Sequence, residues 1–142
     1  MTARENAVRA AMDGVDWRYP CLLWVADYLL EETGRDLAEA FRAVEWNERR
    51  AMRQLRALAL QGQGERLVER ALDAAARWNG WVEADGPRQG AVMIGVYRRV
   101  SANGTAAIFD GESRWIAGVL GGGVMTSGAL PERMWEVKHE AA

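Results

Sequence analysis

The chain carries one cysteine, Cys21, and one histidine, His139. Cys21 follows Pro20, and proline suits the first position of a helix, so the thiol stands where an apolar helical run begins. Backbone N–H groups and the helix dipole at such a place lower a thiol's pKa and favour the thiolate, a geometry that many cysteine hydrolases use. Cysteine is equally a small residue that packs well, buried, at a helix start, and the position alone fits both readings. A thiol hydrolase also needs a base that takes the proton and returns it to the leaving group. His139, the fourth residue from the end, is the one imidazole on offer. A single cysteine excludes an intrachain disulfide and a thiolate-rich zinc site, so neither metal nor other cofactor is expected.

Other residue patterns carry less chemistry. Gly121, Gly122 and Gly123 suggest a phosphate loop, but VMTSGALP follows them, with no lysine and no helix to offer its N-terminus. Glu31, Glu32 and Asp36, or Glu65, Glu69 and Asp73, supply carboxylates in groups. Arg35, Arg66 and Arg70 alongside make solvated, salt-bridged helix faces the simpler account.

The elements that position Cys21 come first along the chain. Thr2 caps a short helix through about Met12, which the Asp13-Gly14 turn ends. From Pro20, the residues Leu22, Leu23, Val25, Ala26, Leu29 and Leu30 recur at helical spacing up to Thr33-Gly34. Apolar on nearly every side, this helix is expected to be the buried spine of the fold, packed against a sheet formed by residues 91–120. Asp36 begins a short turn through Phe41, and Trp46, Met52, Leu55 and Ala59 share a helix face before Gly62 and Gly64. Leu67, Val68, Ala71, Leu72, Ala75 and Trp78 describe a further amphipathic helix, ended near Asn79-Gly80.

Beyond Gly80 the texture changes. Residues 91–100, 105–109 and 114–120 read as strands, with Asn103-Gly104 and Asp110-Gly111 as tight turns of an antiparallel meander. Residues 121–137, rich in glycine and carrying Pro131, read as loop with one short strand near Trp135. Helices over about 2–80 and strands over about 90–137 make one α+β domain of 142 residues. The apolar stretch 121–136, with Val124, Met125, Leu130 and Trp135, suits an extended arm that orders on a partner. A surface loop closed over the domain's own sheet is the other reading of it.

Composition narrows the function classes. Apolar residues at 49% and charged residues at 27% place the chain among globular proteins. No run reaches the roughly 20 apolar residues of a membrane span, and MTARENAVRA lacks a secretory signal's apolar core, so a soluble protein made in a cytoplasm is expected. A net charge of -2, from 18 basic and 20 acidic residues, gives no cationic excess for nucleic acid. Seven tryptophans fit either a Trp-rich core or an interface.

WRYPCLLWVADYLLEETGRD resembles the nucleophile segment of the NlpC-type branch of papain-like cysteine peptidases, in a phage-encoded subgroup. There a Tyr-Asp-Cys-like triplet opens a helix and a Thr-Gly-x-Asp stretch follows. RQGAVMIGV is similar to the family's Gly-Asp-Val strand, and TAAIFDGESRWIAG to the strand pair that supplies the histidine base. The resemblance spans about residues 16–135, and only its first segment is specific. Pro20 replaces the family's aspartate before the cysteine, Ala91 replaces the strand aspartate, and Thr105 and Ala106 stand where the base belongs.

NlpC-like proteins of phages and gene transfer agents are typically encoded among tail-tip genes. The resemblance therefore implies a structural component of the tail tip or tail assembly, located in the virion, catalytically silent and contacting other tail proteins. The rival expectation is an amidase or peptidase of cell-wall peptides, with Cys21 as nucleophile and His139 as base.

Overall fold

The sequence places helix stops and starts at residues whose side chains or backbones can satisfy the free ends. In the computed structural model, which describes residues 2–14, 21–36, 67–98, 104–118 and 123–137, the first helix is α1 (Ala3–Asp13). Thr2 caps it, its hydroxyl accepting the Glu5 N–H at 3.1 Å, and Gly14 closes it by donating to the Ala10 carbonyl at 3.1 Å. Its buried face consists of Ala7 and Ala11, small enough for the next helix to approach closely. That helix, α2 (Cys21–Thr33), buries Leu23, Trp24, Val25, Ala26, Tyr28 and Leu29, as an all-round apolar helix must. The Trp24 indole N–H donates to the Ala7 carbonyl at 2.7 Å, which ties the pair together and satisfies a buried donor. Gly34, at φ +74°, ends α2 with its N–H on the Leu30 carbonyl.

The expected turn from Asp36 to Phe41 and the expected helix bearing Trp46, Met52, Leu55 and Ala59 lie, beyond Asp36, outside the described residues. The next described helix, α3 (Leu67–Asn79), ends at Gly80, φ +71°, with the Trp81 N–H reaching back to the Ala76 carbonyl at 2.9 Å. Val68, Leu72 and Ala76, spaced by four, form its buried stripe, and Trp81 anchors the chain just beyond. Trp78 was expected on that stripe but falls outside it and is 86% exposed.

Six antiparallel strands follow: β1 (Val82–Ala84), β2 (Met93–Tyr97), β3 (Thr105–Phe109), β4 (Trp115–Gly118), β5 (Val124–Ser127) and β6 (Arg133–Glu136). Their order across the sheet is β1-β6-β2-β3-β4-β5. Strands β2 to β4 form the expected meander, with Gly111, at φ +90°, in the β3–β4 turn, and β5 extends it by one strand that was not expected. The Asp110 carboxylate fixes that turn by accepting the N–H groups of Glu112, Ser113 and Arg114. The fold is thus α+β with N-terminal helices, as expected. Segment 124–136 differs from expectation. It contributes two strands, β5 at one edge of the sheet and β6, the strand expected near Trp135, between β1 and β2, so a stretch expected as an extended arm is part of the sheet.

Alternation along the strands divides the core in two. Ile94, Val96, Ala106, Ile108, Ile116 and Trp135 face the described helices α1, α2 and α3. Met93, Tyr97, Ala107, Phe109, Trp115 and Met134 face the other way and are buried too, Phe109 and Trp115 with ring centroids 5.2 Å apart. The connection from β5 to β6 crosses this far face as a strap. The Tyr97 hydroxyl donates to the Ala129 carbonyl, and Pro131 sits directly above Gly95.

Charges hold α3 to the sheet. Glu69, 6% exposed, accepts from Arg98 through both carboxylate oxygens, the Nη2 bond measuring 3.0 Å. Arg133 on β6 lies 3.5 Å from Glu69, bonds Asp73 at 2.7 Å and grips Glu83 of β1 with two bonds of 2.6 and 3.0 Å. Its guanidinium also stacks 4.8 Å from the centroid of the Trp135 ring. Glu69 and Asp73, expected on a solvated face, instead point at the sheet, because α3 presents one edge of its charged side to β6 and β2.

The Arg133 hydrogen bonds hold the Glu83 carboxyl below its ordinary value of 4.5. Burial pushes Asp110 up, but its three backbone N–H partners outweigh burial and set it below its ordinary 3.8. A carboxylate depressed in the folded state adds stability that is complete above its unfolded pKa and is lost as pH falls through the folded one. The urea midpoint is therefore expected to stay level from neutrality to about pH 5 and to fall steeply below about pH 4. Glu83→Gln and Asp110→Asn should each flatten the acid limb, and an unchanged limb in both would remove these two groups from the account.

Candidate functional site

Cys21 is the first residue of α2, and α2 packs on β3. Even-numbered residues of β3 face the helices, so the helix start meets the strand at Ala106. The sulfur is hydrogen-bonded by the Ala106 backbone and lies against the N–H groups of Cys21 itself and Leu22. Burial is nevertheless the largest influence and pushes the thiol above its ordinary value of 9.0, overriding those N–H groups. Of the two sequence readings of Cys21, a thiolate favoured by the helix start and a small residue packed there, the direction of the shift favours the packed one, because the half-buried sulfur loses part of the water that would solvate a thiolate.

The position across from the thiol bears a methyl group. Ala106 is fully buried, and its side chain has no atom that can take a proton. Thr105, its neighbour, projects to the opposite face of the sheet, as strand alternation requires. Ala91, the other position singled out in the sequence, is buried in the far-face cluster. Pro20 and His139 lie outside the described residues. Among the described residues no group of three or more His, Cys, Asp or Glu side chains is placed to hold a metal ion, and no helix is long and apolar enough to cross a membrane.

The four residues expected at an interaction surface separate in the structure. Trp135 is 2% exposed and belongs to the helix-side core, so it is not a surface anchor. Val124 packs against that same core and Met125 against the far-face cluster. Leu130, on the strap, is 52% exposed and is the one of the four that lies open to solvent. Trp24, Trp81 and Trp115 join Trp135 inside, which answers the tryptophan question for most of the described residues in favour of the core. Sequence reasoning missed the exposed pair Trp78 and Val82 around the α3–β1 connection. The spacing of Val68, Leu72, Ala76 and Trp81 would have signalled it, since a stripe through those positions leaves Trp78 outside.

Comparison with known protein families, with curated proteins and with solved structures gives no match to this chain.

Proposed function

We propose that the chain is a tail-tip or tail-assembly component of a phage or gene transfer agent, built on an NlpC-like scaffold whose hydrolase chemistry is silent. The observation that supports this most is the meeting of Cys21 with Ala106. Cys21 adjoins Ala106 where α2 starts on β3; the resemblance aligns Cys21 with the family's nucleophile and Thr105 and Ala106 with its base, and neither of those two can take a proton near neutral pH. A thiol pushed above its ordinary range, with a methyl group facing it, is a poor nucleophile near neutral pH. The tail assignment follows from the resemblance of the segment around Cys21.

The experiment is digestion of purified peptidoglycan and its stem peptides by the intact chain, run beside Cys21→Ala and His139→Ala. No turnover above background is expected from any of the three. Cys21→Ala should leave particle assembly intact, with the protein still present in purified virions. Turnover that vanishes in both variants would replace this reading with the cysteine amidase, and failure to find the protein in particles would remove the tail assignment.

A further inference from the structure

The helices are anchored by different forces. Buried apolar side chains hold α2, including Trp24, Tyr28 and three of its leucine and valine residues, and the indole bond to Ala7 ties α1 to it. By contrast α3 fully buries only Val68, Leu72 and Ala76 among its described apolar side chains, smaller and fewer than the six that α2 buries. Among the described residues Ala75 adds a partly buried contact, and ion pairs join the helix to the sheet. Glu69, in its first turns, meets Arg98 and Arg133, and Asp73, one turn later, meets Arg133.

These contacts are unevenly distributed along the helix. Its beginning lies over the start of β3, where Val68 stands 3.7 Å from the point a side chain on Gly104 would occupy. Arg98 directly follows β2 at the same end of the sheet, and Ala106, with Cys21 against it, is one strand repeat further along. The other end of α3 is fixed by Trp81, buried and bonded to Ala76, with Gly80 in left-handed conformation between helix and anchor. An element held by charges at one end and by a glycine-linked aromatic at the other has a latch and a hinge.

We propose that α3 opens as a unit about Gly80 while the sheet and the α1–α2 pair stay folded, and that the Glu69–Arg98–Arg133 cluster is the latch that keeps it closed over the start of β3. Opening carries Val68 and Glu69 away from Gly104 and Arg98 and bares the strand end beside Cys21. Local opening of this kind draws on the elements with least buried apolar surface. Glu69 is the buried member of the cluster and the carboxylate that Arg98 grips with two bonds, so a neutral substitution there loosens the latch even though Arg133 keeps Asp73 and Glu83. The inference stands on the packing of α3 alone and holds whether or not Cys21 is catalytically silent.

The test is native-state hydrogen exchange of the full chain, with alkylation of Cys21 by iodoacetamide as a second reporter at one fixed pH. Two variants are compared: Glu69→Gln, which keeps the shape and removes the charge, and Phe109→Leu, a far-face core change that lowers global stability without touching α3. Glu69→Gln is expected to speed exchange across α3 and alkylation of Cys21 together, by about tenfold or more, with α2 and β3 amides unchanged. Phe109→Leu should leave α3 exchange and Cys21 alkylation within about twofold of the parent protein. Equal acceleration by both variants, acceleration of α2 and β3 along with α3, or no change in α3 exchange or in alkylation with Glu69→Gln would overturn the proposal.

Discussion

Trp135→Ala is expected to destabilise the fold by about 3–5 kcal/mol, the usual cost of removing a large aromatic from a core. The ring is 2% exposed, lies among the helix-side residues and carries the Arg133 guanidinium on its face. Its loss opens a cavity between the sheet and the helices and also frees the arginine that joins Asp73 and Glu83. A typical domain is stable by about 5–15 kcal/mol, so this one change consumes a large part of that margin. Urea unfolding of the purified variant measures it. A loss below about 0.5 kcal/mol, as for ordinary surface positions, would return Trp135 to the status of an exposed partner anchor.

Gly95→Ala should cost about 1–3 kcal/mol through the opposite fault, overpacking. An added Cβ would lie 2.5 Å from Pro131 Cγ, 2.9 Å from Pro131 Cβ and 3.1 Å from Trp115 Cζ3. The strap cannot easily retreat. The Glu132 N–H donates to the Val96 carbonyl at 3.1 Å, the Glu132 carboxylate accepts the Arg98 N–H at 3.0 Å, and the Tyr97 hydroxyl holds Ala129. Pro131→Ala trims the proline ring that causes the worst approach, so the double variant should be more stable than the sum of the single losses allows, by about 1 kcal/mol. Additive losses in urea unfolding would show that the strap does not press on β2 at Gly95.

Local signals in the sequence were strong where the structure depends on local spacing. Thr2, Gly14, Gly34 and Gly80 mark helix ends because capping needs only the residues beside the cap. The run 105–109 reads as a strand because its β-branched and aromatic residues sit between turn residues, and the structure forms β3 there. By contrast β6 was illegible as an interior strand. Its partners are Val82 to Ala84 and Met93 to Val96, roughly forty to fifty residues earlier, and nothing within four residues of chain encodes a pairing that distant. For the same reason β1, three residues long and paired only to β6, was missed, and the triple glycine and Pro131 made the neighbouring chain read as loop.

The site was legible in part. Pro20 and the apolar run set Cys21 at the start of a helix, and that is where α2 begins. The direction of the thiol's shift was not legible, because it depends on how tightly β3 closes over the helix end, which is a tertiary quantity. The buried charge of Glu69 was hidden for a similar reason. A carboxylate followed by arginines at helical spacing has the pattern of a solvated face, and only Arg98 and Arg133, brought in by β2 and β6, make it an internal ion pair.

Cys21 is a half-buried thiol packed against the helix-side core beside Ala106, held in its neutral form rather than as a poised thiolate. The pH dependence of its alkylation in the native protein measures this directly, since the rate follows the thiolate fraction. The expected profile rises through and beyond the ordinary thiol value of 9.0, with no plateau near neutrality and slower reaction than a free thiol at every pH below it. A plateau reached below about pH 7, with a titration midpoint in the acidic range and loss of that plateau in His139→Ala, would contradict it, because that profile belongs to a thiolate paired with an imidazole.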